Sequence, residues 1–202
     1  MAGCFDFVPA ILALIGEFTC IAANYWCDFV GINVANGSID VKFGIWFLTQ
    51  WELSETSAGE VVVYQTCVQY PDSVEFDSSW RSASVFSILA PVLGGICVIM
   101  AFIAICANMG HWTWKTLGAC LIAVSVFQGL TLLFLRSNVC SAGENVVVDV
   151  LRRRTGNDFT LSDCDLDWGG KTCIASVICF FMAGLVSMLI PPPQSEDPDG
   201  RR

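Results

Sequence analysis

The sequence predicts an all-α transmembrane four-helix bundle that carries a small extracellular antiparallel β-sheet in its first long loop. Three observations predict it. Apolar residues make up 54% of the 202-residue chain and charged ones only 14%, with a mean hydropathy of +0.61, a composition that suits a bilayer better than a solvated surface. Four stretches, 7–25, 85–107, 117–135 and 172–190, are long enough to supply the ~20 apolar residues that a helix needs to cross a hydrocarbon core. Between the first two, β-branched and aromatic runs flank Asn36-Gly37, the strongest short-range hairpin signal.

The first span contains Glu17, the one ionisable residue deep in any of the four. A cleaved signal peptide is the rival reading of this span, because Ala22 and Ala23 are small. No Lys or Arg precedes Phe7, however, and the apolar run exceeds the usual ~7 to 15-residue core, so a retained signal-anchor helix is expected. Trp26, Trp80, Trp112, Trp114 and Trp168 lie at or just outside the spans and are expected to act as interfacial anchors. Pro191-Pro192-Pro193 ends the last span, and the polar tail that completes residues 191–202 is expected to be disordered.

Four spans place both termini on one side and the long connections, 26–84 and 136–171, on the other. Charge alone favours cytosolic loops: Lys115, Arg201 and Arg202 stand on the termini side, against Lys42, Arg81, Arg136, Arg152, Arg153, Arg154 and Lys171 on the loop side. Long loops weigh less in that rule. Of the 11 cysteines, Cys27, Cys67, Cys140 and Cys164 lie in these loops, an even number that suits disulfides in an oxidising compartment. The expectation is therefore extracellular or luminal loops and cytosolic termini, in the plasma membrane or an endomembrane. The other cysteines sit in or beside spans, where a thiol packs as a small apolar group, and Cys4 and Cys106 are candidates for palmitoylation.

In the first loop, apolar runs at 29–35 and 39–46 predict a hairpin, and 60–70 predicts a third strand that carries Cys67. Asp77 or Ser78 would cap the helix that continues into the second span. Asn36-Gly37-Ser38 is a turn and also an N-glycosylation acceptor, which matters only outside the cytosol.

Trp26, then Gly44-Ile45-Trp46, then Cys67, then Arg81 at the entrance to the second span resembles the Trp, Gly-Leu-Trp, Cys pattern of the first extracellular segment of claudins and their relatives. Those relatives include peripheral myelin protein and the calcium-channel γ subunits. The resemblance covers the four-span layout, and its specific motif occupies Trp26 to Arg81. The sequence departs from the pattern at Thr49, where claudins place the first cysteine of an intra-loop disulfide, so Cys67 needs another partner. Cys27 is the nearest in sequence and Cys140 with Cys164 would close the second loop, but four cysteines allow three pairings. Arg201-Arg202 also differs from the Tyr-Val type of ending by which many claudins bind scaffolds, so that attachment is not implied.

The residues give little basis for enzymatic chemistry. A net charge of −9 removes the electrostatic reason to expect a nucleic-acid partner, and His111 is the only histidine. No nucleophile is paired with a base, and neither cofactor nor metal is expected. Asp163, Asp165 and Asp167 alternate like the first half of a calcium loop, but Trp168 stands where glycine is required and Ile174 where a bidentate Glu belongs. An acid in a span costs roughly 2.5 to 3.5 kcal/mol. Glu17 is therefore expected to bridge to Gln128 or Ser125 of the third span, with binding of a cation, pigment or partner helix as the sharper use. Ala90 with Gly94 and Ala119 with Ala123 have the spacing that lets helices pack closely.

Arg152-Arg153-Arg154 contrasts with a first loop that holds Asp28, Asp40, Glu52, Glu55, Glu60, Asp72, Glu75 and Asp77 against Lys42 and Arg81, so the arginines of one copy could meet the acidic loop of another in a salt-sensitive way. Taken together, these features suggest a non-enzymatic membrane interaction protein at home in the lipid bilayer. The resemblance implies association with itself or with another integral membrane protein, at cell junctions or in adhesion. An auxiliary ion-channel subunit and a small cation-selective pore or transporter are the alternatives.

Overall fold

The structure, a computed structural model, describes residues 7–34, 39–55, 61–70, 74–106, 110–140 and 164–190. Among them are four long helices, α1 (Val8–Tyr25), α2 (Ser78–Cys106), α3 (His111–Leu130) and α4 (Trp168–Leu189). Five strands accompany these helices: β1 (Val30–Val34), β2 (Ile39–Phe43), β3 (Phe47–Glu55), β4 (Val61–Gln69) and β5 (Asp165–Leu166). The fold is thus a set of four apolar helices with a small antiparallel sheet.

All four helices are long and apolar enough to cross a membrane, and no more than 44% of each apolar window is buried inside the chain. Phe18, Val92, Ile99 and Ile178 are each more than half exposed. Side chains of this kind are left outside in such numbers only where the surroundings are themselves apolar. The chain is a multi-pass membrane protein.

Three of the helices begin before the apolar stretches read from hydropathy. α2 starts at Ser78 because the Asp77 carboxylate accepts the Trp80 amide at 2.9 Å, which satisfies a first-turn donor. α3 starts at His111 and gives way to a 3₁₀ turn at Thr131–Arg136. α4 starts at Trp168, where the Asp167 carbonyl accepts the Lys171 amide at 3.0 Å.

By contacts, the chain divides into two compact units. Unit 1 comprises Met1–Ile21, Phe86–Leu130 and Cys173–Arg202. Its core is made largely of small residues, with Ala13, Ala90, Ala101, Ala104 and Ala183 buried, and this lets the helix backbones approach. The small pair Ala90 and Gly94 lies inside, whereas Ala119 and Ala123 are exposed. The close approach of α3 is made instead at Gly118, where an added Cβ would stand 3.0 Å from the Gly184 carbonyl oxygen of α4.

Unit 2 comprises Ala22–Val85 and Thr131–Thr172 and contains the sheet, in the order β4-β3-β2-β1-β5. β1 and β2 form the expected hairpin, from Val30 opposite Phe43 to Val34 opposite Ile39, and residues 35–38 lie outside the described residues. The strand expected at 60–70 is β4, the fourth strand and not the third, because β3 precedes it and pairs with it along its whole length. β5, from the second long connection, pairs with β1 through Val30 opposite Leu166, so the sheet draws on both connections.

Two of the five expected interfacial tryptophans are not interfacial. Trp80 and Trp114 are each 1% exposed, and their indole N–H groups donate to the carbonyls of Ile45 (3.0 Å) and Ile190 (3.1 Å). An indole with its donor satisfied internally is a large apolar core group. Trp26, Trp112 and Trp168 are exposed, with Trp26 and Trp168 forming a tilted pair 5.4 Å apart.

Two disulfides join Cys27 to Cys67 and Cys140 to Cys164. With sequence separations of 40 and 24, the loop-closure relation gives stabilisations of about 4 and about 3.5 kcal/mol.

Candidate interaction surface

The connection from β2 to β3 is only Gly44-Ile45-Trp46, closed by the Gly44 amide donating to the Phe47 carbonyl at 2.7 Å. Each of its first two carbonyls is held by an aromatic side chain. Tyr70, just past β4, donates its hydroxyl to the Gly44 carbonyl at 2.6 Å, and Trp80 on α2 donates to that of Ile45. Removal from water pushes the Tyr70 phenol well above its ordinary value, so it remains a donor. Ile45 itself is buried.

Gly44 is glycine for a steric reason. A Cβ there would collide with the Trp26 carbonyl oxygen and stand 2.9 Å from the Cys27 Cα, and backbone cannot swing aside. The motif residues Trp26, Gly44, Ile45 and Cys67 therefore meet at the root of the sheet, with Cys27 bonded to Cys67.

Edge-to-face aromatic contacts extend from Trp80. Its ring centroid lies 4.7 Å from Tyr70, 4.4 Å from Phe76 and 5.3 Å from Phe134, and Phe134 in turn lies 5.7 Å from Phe29. Such contacts add about 0.5 to 1.5 kcal/mol each to the area they bury. Arg81, next in sequence, is exposed.

A charged cluster ties β1, β2 and α4 together. Lys42 Nζ stands 2.8 Å from Asp167 and 3.5 Å from Asp28, and Asp28 also accepts the Thr49 hydroxyl at 3.3 Å. The hydrogen bond to Asp167 raises the Lys42 pKa above its ordinary value, burial opposes this, and the charges of Asp28 and Asp167 reinforce it. Burial works to raise the Asp167 carboxyl, but the Lys42 hydrogen bond, the Trp168 amide and the charges of Lys42 and Lys171 outweigh it and hold Asp167 below the usual carboxylate range. Asp167 is thus an ion-pair partner and the cap of α4. Among the described residues, no group of three His, Cys, Asp or Glu could hold a metal ion.

In the first span, Glu17 does not bridge to Gln128 or Ser125. Gln128 accepts from the Cys20 thiol (3.1 Å) and donates to Cys173 Sγ (3.3 Å), and Ser125 donates to the Ile122 carbonyl (2.7 Å). The space for the Glu17 carboxylate comes instead from Gly94, where a Cβ would collide with Oε2 and would stand 2.9 Å from the Phe180 ring. Glu17 Oε2 is buried and has no hydrogen-bond partner among the described residues.

The remaining sequence candidates are less informative. Glu52 and Glu55 lie on β3. Asn36, Glu60 and Arg152, Arg153 and Arg154 lie outside the described residues. Tyr70, Phe134, Lys42 and Asp28 belong to no recognisable sequence pattern, and each gains its role from distant chain.

Gly44→Ala is expected to destabilise the protein by about 2 to 3 kcal/mol, as overpacking against fixed backbone does, read as a lowered unfolding temperature in detergent. Lys42→Met tests the ion cluster through pH. The depressed Asp167 adds stability above its unfolded value of ~3.9 and loses it as pH falls through the folded value, whereas the raised Lys42 adds stability below ~10.4 and loses it as pH rises through its own. The variant is expected to be ~1 kcal/mol less stable across that window, with the difference closing in acid; a constant difference down to pH ~2 would contradict the assignment. No protein-family model matches the chain, and no curated protein is significantly similar to it.

Proposed function

We propose that the chain is a claudin-like, non-enzymatic interaction protein, associating laterally or between membranes with copies of itself or with another integral membrane protein through its two long connections. The observation that carries this reading is the register of β3 against β4. Thr49 lies directly opposite Cys67, so the position at which claudins have the first cysteine of their intra-loop disulfide faces the surviving second one across the ladder. Here Thr49 is hydrogen-bonded to Asp28, and Cys67 bonds to Cys27, the neighbour of that aspartate. The crosslink of Cys67 thus runs to the segment just before β1 rather than to β3, and four apolar helices with a disulfide-tied antiparallel sheet are compatible with the resemblance.

Two disulfides among the four loop cysteines favour an oxidising side for both connections, and hence cytosolic termini, over the positive-inside tally. A plasma-membrane or junctional site follows from the resemblance.

Opposed residues of an antiparallel pair have Cα atoms about 4.5 to 5.5 Å apart, within the ~4.4 to 6.8 Å range of disulfides. Thr49→Cys combined with Cys27→Ser is therefore expected to form a disulfide between the thiol introduced on β3 and Cys67, detected by peptide mapping without reduction. Free thiols at both positions would argue against the register and the resemblance. Function is tested by mixing two cell populations that express the protein with different fluorescent tags. Both tags are expected to concentrate where unlike cells touch, and a uniform distribution would overturn association in trans between identical copies.

A further inference from the structure

Beside the Gly44–Trp46 turn, unit 2 contains an open cavity of ≈ 410 Å³ whose walls include Trp46, Tyr70, Phe76, Trp80, Arg81 and Val85. Its lining is aromatic and aliphatic apart from two neutral polar residues, Gln69 and Ser84, and one charge, Arg81. Phe76 and Val85 are 38% and 55% exposed, so an apolar surface is left open beside that charge. Among the described residues the salt bridges are those of Lys42, and the Arg81 guanidinium takes part in none.

The position of the cavity along α2 matters as much as its lining. Arg81 stands on the first turn, and Val85 is ~6 Å further along the axis. From Val85 to the end of α2 at Cys106 the sequence has no charged residue. The cavity therefore lies where this helix passes from wet to apolar surroundings, the level of lipid head groups. A soluble ligand has no reason to combine a guanidinium with an aliphatic exit at that depth. A phospholipid does: its phosphate diester presents two oxygens to a planar guanidinium fork, and its glycerol and first methylenes continue into apolar surroundings.

We propose that this cavity binds one membrane phospholipid, with the phosphate on Arg81 and the beginning of the acyl chains against Phe76, Trp46 and Val85. The volume suits the head group and the first methylenes, which leaves the rest of the tails in the bilayer. The site depends on the chain crossing a membrane and is independent of what the two long connections bind.

The test uses the full-length protein purified in a nonionic detergent, incubated with dioleoyl phosphatidylglycerol or with dioleoylglycerol, which lacks the phosphate, and bound lipids are counted by native mass spectrometry. One phosphatidylglycerol per chain and no retained dioleoylglycerol are expected. Arg81→Gln should lower the occupancy about tenfold, Arg81→Lys should keep part of it as a point charge without the fork, and Val85→Trp should lower it with the guanidinium intact. Equal retention of the two lipids, or unchanged binding in Arg81→Gln, would overturn the proposal. So would a lipid-free dimer crosslinked through residues 76 and 81, which would make the groove a protein interface.

Discussion

The second unit depends on one arrangement: two aromatic donors that hold two consecutive carbonyls of a three-residue turn. Trp80 belongs to a membrane helix and Ile45 to the turn between β2 and β3, so their hydrogen bond joins residues 35 positions apart. Burying an indole of roughly 200 Å² at ~25 cal/mol/Å² contributes about 5 kcal/mol, and the bond keeps that burial from stranding a polar group. Tyr70 repeats the device on the neighbouring carbonyl. With both carbonyls held, the turn can lie against the Trp26 and Cys27 backbone, which in turn demands glycine at position 44. The disulfide from Cys27 to Cys67 then fastens β4 to the same point.

Charge is used differently in the two units. In unit 2, Lys42 is surrounded by Asp28 and Asp167, so part of the acidity that makes the first loop look like an open anionic face is spent internally, and Asp77 is occupied as the cap of α2. The acids left for contacts are fewer than a count suggests. In unit 1, Glu17 rests over Gly94, with the Phe180 ring beside it. Its Oε2 is buried without a described hydrogen-bond partner, which is costly within a span.

The sheet links the two connections more closely than a first-loop sheet alone would. β5 adds the second connection to β1, and Asp167, one residue beyond it, receives Lys42 from β2 and caps α4. The geometry of the described part of unit 2 is therefore set by both connections. The Cys140 to Cys164 disulfide shortens the second connection and fixes the approach of β5.

Composition and hydropathy by themselves determined the membrane class, the number of spans, the β1–β2 hairpin and β4, because these depend on apolar runs and turn residues that are local in the chain. From Trp51 to Ser54 the sequence alternates apolar and polar residues, but Leu48 and Thr49 break the period of two at the start of β3, which left that strand without a clear local signal. Only the tertiary structure decided the rest. β5 is two residues of an acidic stretch with no strand signal of their own, and it exists because β1 offers it an edge. Trp80 and Trp114 sit where interfacial anchors belong, and whether an indole is wet depends on which carbonyl folds over its N–H. The pairing of Cys67 with Cys27, the engagement of Lys42 and the emptiness of Gly94 beneath Glu17 likewise come from residues brought together over tens of positions, a relation that no local pattern encodes.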